Sequence, residues 1–199
     1  YNGISQNGIT ETASEKTGGI VAYAEHCKMI NCLNEGTVRH SSEIFETDDY
    51  LGGIAAEAKY STFDLCINNG SLLCEDEYGG GIVGYGTQVT LNNCLSASRD
   101  LEFPNTSTCG SIIGVAEEST MTNCFANVDR AMIGKTINMK LRTGNNYRLH
   151  DKNESKSEFE MGVNQQMMES GIVAYWLNKG IGNRDLDVKP WRQNVGQDN

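Results

Sequence analysis

Apolar residues along the chain recur in short blocks of β-branched or small side chains, separated by polar loops. The blocks do not show the 3.6-residue spacing of an amphipathic helix over a useful length. Short apolar runs bounded by turn-forming residues are typical of strands. The pattern therefore predicts an all-β structure for most of the chain.

Four of these blocks align without gaps and define a repeat whose motifs start near residues 18, 52, 80 and 110. Each motif opens with a Gly-rich corner and an Ile, and three further fixed positions follow at nine, twelve and thirteen residues. The aligned columns are Ile20, Ile54, Ile82 and Ile112; Met29, Phe63, Leu91 and Met121; Cys32, Cys66, Cys94 and Cys124; and Leu33, Ile67, Leu95 and Phe125. Successive cysteines lie 34, 28 and 30 residues apart, so the variable lengths fall in the loops.

A single unit of this kind cannot bury its apolar side, whereas stacked copies can. Stacking in parallel sheets places equivalent residues above one another at about 4.8 Å per coil. The repeat therefore predicts a right-handed parallel β-helix, or β-solenoid, of about four to five coils over residues 1–130. The Gly pairs are expected at corners that need either a positive φ or a tight bend.

The column pattern stops near Arg130, so residues 131–199 are predicted to form a C-terminal cap with an exposed loop and a helix near 163–178. The end coil of a solenoid exposes apolar core and unpaired strand edges, and a Met- and Trp-rich helix covers them. Trp176 and Trp191 are interpreted as part of that cap. An aromatic sugar-stacking site is the alternative role for either residue.

Composition adds to this picture. The 199 residues include 22 Gly, 20 Asn and 2 Pro, which favours many tight turns. The formal net charge of -10 argues against a nucleic-acid binder, which would show a basic face. No apolar run approaches the length of about 18 residues that spans a membrane.

The seven cysteines divide into an aligned group and an outlying group. Cys32, Cys66, Cys94 and Cys124, the cysteine column, are expected to point the same way from neighbouring coils about 4.8 Å apart. A disulfide needs Cβ atoms near 3.8 Å with a specific torsion, so a ladder of buried thiols is predicted instead. The sequence leaves open whether Cys27, Cys74 and Cys109 form a disulfide.

Asn residues also align beside the cysteine column. Asn31, Asn93 and Asn123 share one position, with Leu65 as the exception, and Asn34 and Asn68 share another. Stacked amides can hydrogen-bond along the stack, so these columns predict structural amide ladders.

Three carboxylates align five residues before the Ile of their motifs: Glu15, Asp49 and Glu77. Ser107 takes this position in the fourth motif. The preferred interpretation is a row of solvated loop carboxylates that discourages aggregation at strand edges. The alternative is a Ca²⁺ site or Ca²⁺-dependent lectin site, although the loop lacks the ligand spacing of a dedicated cage. No metal or other cofactor is therefore predicted as a requirement.

The segment Gly80-Gly81-Ile82-Val83-Gly84-Tyr85, followed by its Asn-Cys turn, resembles the GLUG repeat of bacterial secreted and surface proteins. The segments 170–178 and 191–198 resemble the region that often follows such repeats in surface proteins of gut bacteria. The resemblance implies an extracellular, adhesin-like β-helical stalk within a longer surface protein. It carries over no catalytic residues, and it implies that the natural chain continues past Asn199.

Two functions follow as hypotheses. The first is a non-catalytic surface module that binds a host glycan, a protein or a neighbouring domain. The second is a β-helical carbohydrate-active enzyme, which needs paired carboxylates, or carboxylates with basic residues, converging in one groove. The acidic column supplies carboxylates, but Lys28, Lys59 and Arg99 fall at unrelated offsets in the repeat. The non-enzymatic module is therefore the favoured prediction.

Overall fold

The computed structural model describes residues 4–5, 9–12, 15–40, 49–74, 78–98, 100–103, 108–138, 142–150, 160–181 and 191. They form a right-handed parallel β-helix with a small helical C-terminal cap, which confirms the predicted fold. In chain order the strands are β1 (Ile4–Ser5), β2 (Ile9–Thr12), β3 (Lys16–Gly18), β4 (Val21–Glu25), β5 (Lys28–Ile30), β6 (Leu33–Asn34), β7 (Thr37–His40), β8 (Tyr50–Gly52), β9 (Ala55–Lys59), β10 (Thr62–Asp64), β11 (Ile67–Asn68), β12 (Leu72–Cys74), β13 (Tyr78–Gly80), β14 (Val83–Thr87), β15 (Thr90–Asn92), β16 (Leu95–Ser96), β17 (Leu101–Glu102), β18 (Cys109–Gly110), β19 (Ile113–Glu117), β20 (Thr120–Thr122), β21 (Phe125–Ala126), β22 (Ile133–Ile137), β23 (Arg142–Gly144), β24 (Tyr147–Leu149) and β25 (Met161–Val163). The helices are α1 (Gln165–Glu169) and α2 (Ile172–Ile181).

Each complete coil contributes one strand to each of five parallel sheets. Their strand orders are β1-β6-β11-β16-β21-β24-β25 in sheet A, β17-β12-β7-β2 in sheet B, β18-β13-β8-β3 in sheet C, β22-β19-β14-β9-β4 in sheet D and β23-β20-β15-β10-β5 in sheet E. Strands of the same sheet come from successive coils, so the hydrogen bonds between their backbones run along the axis of the β-helix. Side chains at equivalent positions of successive coils therefore lie in columns along this axis.

The register of the strands matches the aligned columns of the sequence. Phe63 pairs with Met29 on one side and with Leu91 on the other, and Leu91 pairs with Met121. The amide of Ile54 donates to the carbonyl of Ile82 at 3.0 Å, and Ile54 is fully buried. Equivalent apolar residues therefore stack into one continuous core along the axis.

Asn residues and glycines stand at the corners for different physical reasons. Among the described residues, ten non-Gly residues have positive φ, and they form two columns: His26, Tyr60, Gln88, Glu118 and Asn138 after sheet D, and Asn31, Leu65, Asn93, Asn123 and Asn145 after sheet E. Asn tolerates this left-handed region better than most residues, which explains its abundance in the second column. At the Gly corners the need is space: a Cβ on Gly52 would overlap the carbonyl of Ala55.

At several left-handed corners the side chain of the following residue bonds the corner to the coil before it; these residues are Ser61, Cys66, Cys94, Ser119, Cys124 and Asn146. Cys94 Sγ donates to the carbonyls of Asn92 and Phe63 at 3.3 and 3.6 Å. Ser119 Oγ makes the same pair of contacts at the other corner, to Glu117 and Gly86, at 2.8 and 3.3 Å. A small side chain with a donor is therefore well suited to either corner.

The cysteine column consists of fully buried, reduced thiols. The hydrogen bond to Cys94, together with burial, raises the pKa of Cys66, and burial together with Cys124 raises the pKa of Cys94. Of the outlying cysteines, Cys27 is exposed and reduced and Cys109 is buried and reduced, whereas the side chain of Cys74 lies outside the described residues. The thiols of Cys66 and Cys94 therefore stay protonated at neutral pH.

Amide ladders run beside the thiols. Asn123 Nδ2 donates to Asn93 Oδ1 at 2.6 Å, and Asn93 Nδ2 donates to Asp64 Oδ1 at 2.8 Å. In the second ladder Asn34 Nδ2 donates to Asn68 Oδ1 at 2.8 Å inside the helix. These bonds satisfy polar groups that would otherwise be costly in the interior.

Parallel pairing continues past residue 130, the predicted boundary between the solenoid and the cap. Ile133 pairs with Ile113 twenty positions earlier, whereas Ile113 pairs with Val83 thirty positions earlier. The coil is shorter because the chain passes from β21 in sheet A directly to β22 in sheet D and omits sheets B and C. Residue 130 thus marks the end of the repeat in sequence, and strand stacking extends to Val163.

In its described residues the cap contains two helices, where the sequence predicted one near 163–178. The Asn164 side chain caps α1 by accepting from the amide of Met167 at 2.9 Å, and Gly171, with φ 76°, separates α1 from α2. Val173 and Leu177 of α2 are buried with Phe125 of the last full coil. In the part of the chain that the structure describes, no helix is long and apolar enough to cross a membrane.

Candidate functional site

Sheets C and D meet at the Gly corner, and their backbones approach closely there. A Cβ on Gly84 in sheet D would lie 2.6 Å from the carbonyl oxygen of Ala56 and 2.7 Å from that of Leu51 in sheet C. This position holds only Ala or Gly at the four successive corners, as Ala22, Ala56, Gly84 and Gly114, and Gly134 takes it in the shortened coil that follows. The corner therefore has a floor of small residues beneath the side chains of the two sheets.

Outward side chains of the two sheets converge over this floor. Sheet C contributes a column of Lys16, Tyr50 and Tyr78, and sheet D contributes a column of Tyr23, Glu57 and Tyr85. Lys16 Nζ reaches Glu57 Oε2 across the corner at 2.7 Å, and the rings of Tyr50 and Tyr85 are 5.3 Å apart. We name the surface formed by these six residues the tyrosine cleft.

Three tyrosines of the cleft pack against one another. The ring of Tyr50 is 5.3 Å from that of Tyr78, and the rings of Tyr78 and Tyr85 are 6.1 Å apart and nearly perpendicular at 72°. Such edge-to-face contacts are the preferred geometry of aromatic pairs and hold the half-buried rings in place. Burial, followed by the nearby charge of Glu117, raises the pKa of Tyr85, so its phenol stays neutral at physiological pH.

The other end of the cleft is charged and internally paired. Glu57 is 6 % exposed and lies 2.7 Å from Lys16 Nζ and 2.9 Å from Lys59 Nζ. Burial opposes ionisation of Glu57, but the hydrogen bonds from Lys16 and Lys59 outweigh it and lower the pKa of the carboxyl. Both ammonium groups also lie over the ring of Tyr23, at 5.2 and 5.7 Å from its centroid. Tyr23 Oη donates to Glu25 Oε2 at 3.0 Å.

The carboxylates of the predicted acidic column have different environments. Glu15 is exposed, whereas Asp49 is buried, with Oδ1 3.8 Å from His40 Nε2. Glu77 and Ser107 lie outside the described residues. Within the described part of the chain, no group of three or more His, Cys, Asp or Glu side chains is placed to hold a metal ion.

Both tryptophans lie in the cap. Trp176 stacks on Tyr147 with ring centroids 5.5 Å apart. The side chain of Asn178 holds the backbone of Trp191, donating to its carbonyl at 2.6 Å and accepting from its amide at 3.2 Å. Both indoles pack against the hydrophobic cluster around Val163, which is the packing expected of cap residues.

A second polar cluster joins the shortened coil to the cap. Arg148 Nε pairs with Glu160 Oε1 at 2.6 Å, and Arg148 Nη1 and His150 Nδ1 both contact Asp129 Oδ1, at 2.7 and 2.6 Å. The second oxygen of Glu160 accepts from the amide of Met132 at 2.7 Å. His150 first, and Arg148 next among the attractive partners, lower the pKa of Asp129. This cluster fixes the direct passage of the chain from sheet A to sheet D.

The tyrosine cleft was not among the sites that the sequence indicated, although the aligned repeat carries a signal for it. Tyr50 and Tyr78 both stand four residues before the Ile of their motifs, and Tyr23 and Tyr85 both stand three residues after it. Each pair marks one column, but only the structure shows that the two columns meet. Comparison of the chain with protein-family models, curated proteins and solved structures finds no match.

Proposed function

We propose that this chain is a non-catalytic binding module of an extracellular cell-surface protein, which uses the tyrosine cleft to hold a ligand. The observation that carries the proposal is the convergence of six polar and aromatic side chains from three successive corners over one floor. Tyr is favoured in binding surfaces because it supplies a large rigid contact and a hydroxyl with little loss of side-chain entropy. The partners are this ligand and the other domains of a longer surface protein.

Rigidity supports the proposal. The cleft strands that carry Tyr50, Glu57, Tyr78 and Tyr85, which are β8, β9, β13 and β14, are each paired on both sides, so their backbone is fixed by neighbouring coils. The rings are also held by mutual contacts and by burial. A preorganised surface loses less entropy when a ligand binds. The resemblance to GLUG repeats supports an extracellular location and a stalk that presents this surface.

The test is binding to immobilised gastric mucin, measured by biolayer interferometry. We expect Tyr85→Ala to weaken binding about tenfold or more, as truncation of an aromatic anchor commonly does. Tyr85→Phe keeps the ring packing and is expected to weaken binding less. Tyr175→Ala is the matched control, because Tyr175 is 60 % exposed on α2 in the cap.

Thermal unfolding of each variant separates loss of a contact from loss of the fold. If folded Tyr85→Ala and Tyr85→Phe bind mucin as the wild type does, the cleft is not the binding surface. Failure of the wild type to bind mucin would also contradict the proposal.

A further inference from the structure

We infer that the tyrosine cleft binds an uncharged glycan chain that lies along the helix axis. The inference rests on the proposed binding role of the cleft and specifies its ligand. Three features of the cleft support it: its charge balance, the pairing of its strands, and the spacing of its aromatic rings.

Charges within the cleft are paired with one another. Lys16 and Lys59 both bind Glu57, and Tyr23 at the same end donates to Glu25. Two ammonium groups and two carboxylates thus lie at this end, the charge of Glu117 lies beside Tyr85 at the other end, and the chain as a whole carries a net charge of -10. A polyanion gains affinity by releasing counterions at unneutralised basic groups, and this balance removes that gain. The field of the cleft therefore disfavours an acidic or sulfated chain, and an uncharged chain meets no such repulsion.

Pairing of the cleft strands argues against an extended peptide. Peptides that bind sheets commonly add a strand to an exposed edge and gain main-chain hydrogen bonds. Four cleft strands, β8, β9, β13 and β14, have neighbours on both sides and offer no such edge, whereas β3 and β4 lie at the described ends of sheets C and D. Recognition at Tyr50, Tyr78 and Tyr85, which lie on these doubly paired strands, must therefore use side chains, as it does for a sugar.

The chemistry of the tyrosines fits a sugar ring. A pyranose has an apolar C–H face and a rim of hydroxyls, and tyrosine offers an aromatic face and a hydroxyl that both donates and accepts. Tyr23 is 38 % exposed at one end of the cleft, and Tyr85 is partly exposed at the other. The two belong to the same outward column and lie two coils apart, or roughly 10 Å, about the length of a disaccharide.

The first experiment is isothermal titration calorimetry with neutral gluco-, manno- and galacto-oligosaccharides of increasing length. Oligogalacturonides and a sulfated oligosaccharide serve as charged comparisons. We expect a neutral oligosaccharide to bind, and its affinity to fall about tenfold or more in Tyr85→Ala and in Tyr23→Ala. Tyr175→Ala is expected to bind it as the wild type does. Tighter binding of the acidic or sulfated oligomers would overturn the assignment to an uncharged ligand.

The second experiment separates this inference from the proposed function by treating immobilised mucin before binding. A glycan ligand predicts that periodate abolishes cleft-dependent binding, and that sialidase, which removes charged sugars, leaves it intact. Cleft-dependent binding that survives periodate but not protease would overturn the glycan assignment and leave the binding module standing. If sialidase abolishes cleft-dependent binding, the ligand is a glycan but a charged one, and only its assignment as uncharged is wrong. If the cleft variants bind mucin as the wild type does, both proposals are wrong.

Discussion

Replacing Glu57 with Gln tests whether the paired charges stabilise the cleft. Gln keeps the shape of the side chain but removes the charge that both Lys16 and Lys59 contact at 2.7 and 2.9 Å. Exposed ion pairs contribute about 0.2–1 kcal/mol each, and the burial of Glu57 places these two at the upper end. We therefore expect Glu57→Gln to lower the free energy of unfolding by about 1–2 kcal/mol at pH 7.

The pH dependence of this loss has a definite sign. The pKa of Glu57 is lower in the folded protein than its ordinary value of 4.5. A lowered pKa contributes stability that is fully present above the ordinary pKa and is lost as pH falls through the folded value. The wild type and Glu57→Gln should therefore differ at pH 7 and converge at strongly acidic pH.

Urea unfolding at constant ionic strength measures this difference. Glu35→Gln is the control, because Glu35 is an exposed carboxylate of the same solenoid and the substitution makes the same change in net charge. It is expected to change stability by less than about 0.5 kcal/mol. Equal stability of Glu57→Gln and Glu35→Gln at pH 7 would refute the reasoning, as would a Glu57→Gln deficit that persists unchanged in acid.

Three further substitutions test the backbone of the corners and loops, and a labelling experiment tests the core. Gly81→Ala is expected to cost about 3 kcal/mol or more, because its Cβ would overlap a carbonyl of the next coil, whereas Gly144→Ala meets nothing within 4 Å and should gain up to about 1 kcal/mol. Thermal melts compare this pair, and a harmless Gly81→Ala would contradict the tight corner. Leu65→Asn should raise the free energy of unfolding in urea by about 1 kcal/mol, because Asn adopts the φ of 57° more readily than Leu does. A lower free energy of unfolding would contradict this. Iodoacetamide mapped by mass spectrometry should modify Cys27 in the native protein and the cysteine column only after unfolding, and native labelling of the column would contradict its burial.

The stacking of the first four coils could be predicted because one physical pattern repeats. Ile54 and Cys66 recur at a constant separation in their own and the other motifs, and like residues stack only if the strands are parallel and in register. Leu65, the exception in the Asn column, takes the same left-handed conformation as its Asn neighbours. Backbone geometry set by neighbouring coils overrides the preference of the single residue.

The last coil and the cleft could not be predicted for different reasons. The coil beginning at Ile133 omits two sheets, so its residues fall out of the offsets that define the repeat. The cleft depends on the angle between two sheets, and no spacing along the chain encodes that angle. Tyr50 and Tyr85 occupy different positions of the repeat, and only the close approach at Gly84 brings the two positions together.

The tyrosines of the cleft cover fewer coils than the small residues of the floor beneath them, so the two sets of residues have different roles. The close approach at the floor continues beyond Gly84: a Cβ on Gly114 would lie 2.5 Å from the carbonyl oxygen of Gly84, and a Cβ on Gly134 would lie 2.6 Å from that of Gly114. The tyrosines stop earlier: Thr108 follows Tyr78 in one wall, and Val115 follows Tyr85 in the other. Because the fourth corner forms without tyrosine, the bend does not require aromatic walls. Packing therefore accounts for the glycines, and the binding proposed here accounts for the tyrosines.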